Sequence, residues 1–89
     1  MTKTGMDPLL ASIRDVLGAE LRGRRRAAGL TQAELAKRLG TSQSRVAKME
    51  GAEAGVTLDL LVKALSELGV TRLEVAKAMV RPMPVRRST

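Results

Sequence analysis

Between Gln43 and Lys48 the chain sets out an amide, a hydroxyl, a guanidinium and an ammonium, with no acid among them: Gln43, Ser44, Arg45 and Lys48. This is hydrogen-bonding and cationic chemistry, suited to recognising a surface rather than to breaking bonds. Catalysis has little to work with elsewhere. The chain has no His and no Cys, so the usual proton shuttle, the thiol nucleophile and the two commonest transition-metal ligands are missing. Its nine acids are scattered without a paired-carboxylate pattern. Neither an enzyme nor a cofactor is expected.

The formal charge of +7 is concentrated. Residues 21–50 hold eight basic and two acidic side chains, a net +6, and the tail from Arg81 adds three arginines. Residues 1–20 and 51–80 are each −1. Charge gathered on one third of a chain is the footprint of a polyanion binder. With no Phe, Tyr or Trp there are no stacking platforms of the kind single-stranded RNA uses. No apolar run approaches the roughly 18 residues that span a membrane, and no signal-peptide pattern opens the chain, so a cytoplasmic protein is expected.

Short helices must position these groups. The core has only Leu, Val, Ile, Ala and Met to draw on, which suits helices better than a sheet. Asp7-Pro8 is an N-cap followed by a favoured first-turn residue, and Leu10, Ile13, Leu17 and Leu21 then recur at helical spacing as far as Ala28. Gly18 should weaken that helix near its middle by up to about 1 kcal/mol. A second helix opens on the capping box Thr31-Gln32-Ala33-Glu34 and stops at Gly40; a third follows the cap Ser42 and ends at Gly51. A fourth starts at Thr57, with Leu58, Leu61, Val62, Leu65 and Leu68 on one face, and closes at Gly69. The fifth has its own box, Thr71-Arg72-Leu73-Glu74, and Pro82 and Pro84 prevent its continuation. The reading is an all-α, five-helix domain over 9–81, with a flexible N-terminus at 1–8 and a flexible basic tail at 82–89.

Within 32–51, Gly40-Thr41-Ser42 separates two helices of about eight residues, and a glycine there lets them cross steeply. Leu35, Leu39, Val46 and Met49 would face a shared interior, with the small Ala36 at the closest approach. Arg25 lies four residues after Leu21 on the core-facing stripe. A cation there needs an anionic partner, and Glu50 is the candidate.

The stretch GLTQAELAKRLGTSQSRVAKMEG resembles the helix-turn-helix of the Cro/CI or XRE-type repressors, and the likeness extends over about residues 20–80. It implies a five-helix, lambda-repressor-like DNA-binding fold. Gln43 and Ser44 would meet base edges with Arg45 and Lys48 beside them, while Thr31, Gln32 and Ser42 would hold phosphates. The chemistry is compatible: Gln suits adenine N6 and N7, Arg or Lys suits guanine O6 and N7. Arg25 and Glu50 match an ion pair that such proteins carry. One departure is the loop 51–56, which has no basic residue where many relatives do, and carries Glu53. The continuation RVAKMEGAEAGVTLDLLVKALSELGVTRLEVAKAM looks like the HigA-type antitoxins, which repress their own operon and neutralise a toxin. The resemblance therefore implies double-stranded DNA with an inverted repeat as partner, a homodimer, and a cognate toxin protein as a further candidate. Val75, Met79 and Val80 on the fifth helix are the expected dimer surface. The alternative function is a protein-interaction module whose main role is toxin binding.

Overall fold

In the computed structural model, residues 8–81 are described. They form five helices: α1 Pro8–Ala27, α2 Gln32–Leu39, α3 Gln43–Glu50, α4 Leu58–Glu67 and α5 Arg72–Val80. The N-cap expected at Asp7, most of the expected flexible N-terminus and the tail 82–89 lie outside the described residues. No described helix is long and apolar enough to cross a membrane.

Local sequence accounts for the boundaries. Thr31 and Thr71 each accept the N–H of a glutamate three residues on, and that glutamate accepts the threonine's own N–H, so two otherwise orphaned donors are satisfied at each helix start. Ser42 and Thr57 cap α3 and α4 through their hydroxyl oxygens. The turn between α2 and α3 depends on Gly40, whose φ of 70° lies in the left-handed region, while Thr41 N–H returns to the Ala36 carbonyl at 2.9 Å. The bond pattern after α3 is the same, with Glu53 N–H reaching the Lys48 carbonyl at 3.0 Å. There the left-handed residue is not the neighbouring Gly51 but Ala52, at φ 51°. A side chain in that conformation costs about 1–2 kcal/mol, so the loop behind α3 carries local strain.

The core joins four helices and the loop: Leu17 and Leu21 from α1, Leu35 and Ala36 from α2, Val46 and Met49 from α3, Val56 between, and Leu61, Ala64 and Leu65 from α4. Full burial of each such leucine contributes about 1.5–3 kcal/mol. The long helix α1 packs against α3, α4 and α5, and α2 against α3 and α4. Two expectations need correction here. Val62 is half exposed rather than on the core face, because Leu61, Ala64 and Leu65 already fill that side of α4. The fifth helix also divides differently: Val75 and Met79 pack against the core, whereas Val80 is 81% exposed and Leu73 62%.

Candidate nucleic-acid interface

The structure leaves Gln43, Ser44, Arg45 and Lys48 of α3 exposed while Val46 and Met49 are buried on the opposite side. Ser42 Oγ accepts the N–H of Arg45 at 3.2 Å, so the first turn of α3 is fixed by a group at its edge and its outward side chains stay available. Arg45 and Lys48 line a groove of about 260 Å³ with Ser44, and its far wall is the loop Ala54, Gly55 and Val56.

Behind this face runs a chain of polar contacts. Arg25 grips Glu50 with two N–H groups, Nε to Oε2 at 2.5 Å and Nη2 to Oε1 at 3.1 Å, and its Nη1 donates to the Leu30 carbonyl at 2.8 Å. Gln32 Nε2 donates to the same Glu50 Oε1 at 3.1 Å, and Gln32 Oε1 accepts from Gln43 Nε2 at 2.7 Å. Arg22 Nε stands 3.6 Å from Glu50 Oε1. Burial pushes the Glu50 carboxyl up, yet the hydrogen bonds from Arg25 and Gln32 and the charges of Arg25 and Arg22 outweigh it and hold the group below its ordinary value. The same hydrogen bond raises Arg25 against the opposing effect of burial. A charged carboxylate is thus held at the centre of the network. Through Gln32 it restrains the rotamer of Gln43 at the exposed end.

The Gln32 amide, expected at a phosphate, is engaged on both sides within the molecule and keeps one Nε2 hydrogen for anything outside. Thr31 and Ser42 use their oxygens as caps and retain their hydroxyl hydrogens as donors.

The arrangement is two short helices joined by a tight turn at Gly40, the second with a polar, acid-free outer face. The family described as a helix-turn-helix domain matches residues 16–78. The chain belongs to that family, in its XRE-like group. Comparison with curated proteins and with solved structures gave no match. As a helix-turn-helix domain it is a DNA-binding module, and α3 occupies the place of its recognition helix.

How α1 carries the helix-turn-helix was only half readable in the sequence. Residues 14, 18, 21 and 25 share one stripe of α1, at spacings of four, three and four. At its centre is Gly18: a Cβ there would lie 2.8 Å from the Glu50 carbonyl oxygen and 2.9 Å from that of Met49. The glycine that looked like a weakness in α1 is what lets the C-terminal end of α3 seat directly on it. Arg25 flanks that contact on one side. Arg14 flanks it on the other, buried, with Nη2 donating to the Glu53 carbonyl at 2.6 Å and its buried Nε without a partner. Two cations thus face the end of the helix-turn-helix where backbone carbonyls gather negative charge. The expectation passed over Arg14. Its signal was a charged residue four before Gly18 and eleven before Arg25, on the same stripe as that second buried cation.

Proposed function

We propose that the chain is a sequence-specific DNA-binding repressor, acting by binding rather than catalysis, as a homodimer on an inverted repeat in the cytoplasm. The observation that supports it is the exposed end of α3, where Gln43 is held by Gln32 while Ser44, Arg45 and Lys48 stand beside it without an acid. An amide restrained in one orientation meets the requirement of bidentate readout of adenine, and the neighbouring cations suit guanine or phosphate. A restrained side chain also loses less rotamer entropy on binding. Two such helices related by a two-fold axis would address half-sites about 34 Å apart.

The apolar side of α5 that carries Leu73 and Val80, two turns apart and both exposed, is the surface we assign to the second copy. A finer reading is an autoregulatory antitoxin of a type II toxin–antitoxin pair, which follows from the HigA-like continuation. In that reading the same α5 surface is open to a toxin, and the alternative of a module chiefly for toxin binding rests there too. Co-purification with a small toxin encoded beside the chain separates it from a plain repressor.

The test is a mobility-shift series on DNA upstream of the chain's own coding sequence, with wild type and the double variant Gln43→Ala/Ser44→Ala. Tight binding to an inverted repeat that falls by about 1–3 kcal/mol for each lost bidentate contact supports base reading by α3. Binding that ignores both DNA sequence and the double substitution overturns it.

A further inference from the structure

We propose that Arg22 is a phosphate-contacting residue of this DNA site, mechanically tied to base reading through Glu50, Gln32 and Gln43; the inference rests on the DNA-reading function above. The arginines in the second half of α1 differ in what surrounds them. Arg24 is taken up by Glu20 at 2.8 Å and by Glu74 at 3.3 Å, on the side where α5 lies. Arg25 is buried on Glu50. Arg26 is exposed and has no ion pair among the described residues. Arg22 is the more open of the two anchored, solvent-facing arginines and its donors are not taken up: its side chain is 54% exposed against 34% for Arg24, and its Nε stands 3.6 Å from Glu50 Oε1.

That distance is an ion pair but not a hydrogen bond. Glu50 does not need Arg22 for satisfaction, because its two oxygens already accept from Arg25 twice and from Gln32 once. The centre holds two guanidinium charges against one carboxylate and is left with one positive charge in excess. Among the described residues the donors of Arg22 make no hydrogen bond, while its carboxylate neighbour restricts where the guanidinium lies. A planar fork of free N–H groups, half exposed and beside an excess charge, fits a phosphate diester oxygen pair in bidentate fashion. Arg22 and Gln32 converge on the one oxygen, Glu50 Oε1, so the fork stands next to the amide that restrains Gln43. A phosphate held here would fix the register of the backbone against a side chain whose orientation is set by the same carboxylate.

The experiment measures affinity against salt for wild type, Arg22→Ala, Arg22→Gln and Arg24→Ala. The probes are the upstream DNA and a mixed-sequence duplex, with melting curves for each protein. The expected result is a log–log salt slope smaller by about 0.9 in both Arg22 variants on both probes, which is about a threefold smaller loss of affinity over a fourfold rise in salt. Arg24→Ala keeps the wild-type slope. The neutral, polar Arg22→Gln decides the matter if the alanine variant melts early. A wild-type slope in folded Arg22→Gln overturns the role of Arg22 while leaving base reading intact. Absence of salt-sensitive binding by the wild type overturns the DNA function itself, and this inference with it.

Discussion

Glu50 and Glu20 each collect two arginines against α1, and the two clusters do different work. Glu50 joins α1 to the recognition helix, with its side chain 1% exposed and Arg25 almost as buried. Glu20 joins α1 to the region of α5: Arg24 donates to its Oε2 at 2.8 Å and Arg81 to its Oε1 at 2.7 Å, and Arg24 reaches on to Glu74 in the first turn of α5. Both Arg24 and Arg81 are substantially open to water. The Glu20 side chain is itself only 10% exposed, so the contrast lies in the cations: Arg25 is desolvated with Glu50, whereas Arg24 and Arg81 keep their pairs screened by water. A desolvated pair is costly to break and fixes geometry, while a screened one contributes little and yields readily. The buried cluster sits behind the exposed face of α3, to which base reading is assigned in the proposed function, and the wet one where a short helix needs only to be held down.

The largest consequence should follow from opening the buried cluster. Arg25→Ala leaves Glu50 charged, buried and short of its bidentate partner, and the expected loss is about 3–5 kcal/mol in chemical denaturation. Base reading should fall with it, since Gln32 and Gln43 lose their support. Acid should act on the same link. Glu50 lies below its ordinary 4.5 in the folded chain, so the stability its charge provides is complete at neutral pH, above the unfolded value. It is lost as pH falls through the depressed folded value. Because Glu20, Glu34 and Glu74 are lowered too, the comparison is with Glu50→Gln: an acid-dependent loss as large in that variant as in the wild type would break the contrast.

Two glycines of α1 sharpen it at smaller magnitude. Gly18 has backbone carbonyls inside the space a Cβ would need, while Gly23 has nothing within 4 Å. Gly23→Ala should stabilise by up to about 1 kcal/mol through helix propensity alone. Gly18→Ala gains the same propensity but must push the end of α3 away, at about 1–3 kcal/mol, so its net effect should be destabilising. Equal and favourable shifts in melting temperature for both variants would show that α1 and α3 do not meet as closely as described.

These pairs also show where the sequence was legible. The caps at Thr31, Ser42, Thr57 and Thr71 were readable because each acts on the residue three positions away. The core leucines of α2 to α4 were readable from period alone. Gly18 and Arg14 were not, because what gives them meaning lies 31 to 39 residues further along, in the carbonyls of Met49, Glu50 and Glu53. The link from Gln32 to Gln43 was equally hidden: both residues were singled out, but for separate tasks, and only the fold brings their amides to 2.7 Å. Val62, Val75 and Met79 departed from expectation for a related reason. Periodicity marks an apolar position but cannot tell whether a partner helix reaches it.

The smallest effect should come from the wet cluster. Glu20→Gln removes the charge that Arg24 and Arg81 share, and the expected cost is about 0.5 kcal/mol at low salt. That cost should shrink as ionic strength rises and the screening length falls below about 10 Å. Amide exchange locates it: protection should drop across Arg72–Val80, which α1 holds through these contacts, and stay unchanged in α2 and α3. Affinity and sequence preference on a single half-site should not move, whereas binding to the full inverted repeat should weaken if α5 carries the dimer contact. Loss of protection spreading into α3 would mean that the two sides of α1 are coupled, and that α5 helps set the geometry of the recognition helix.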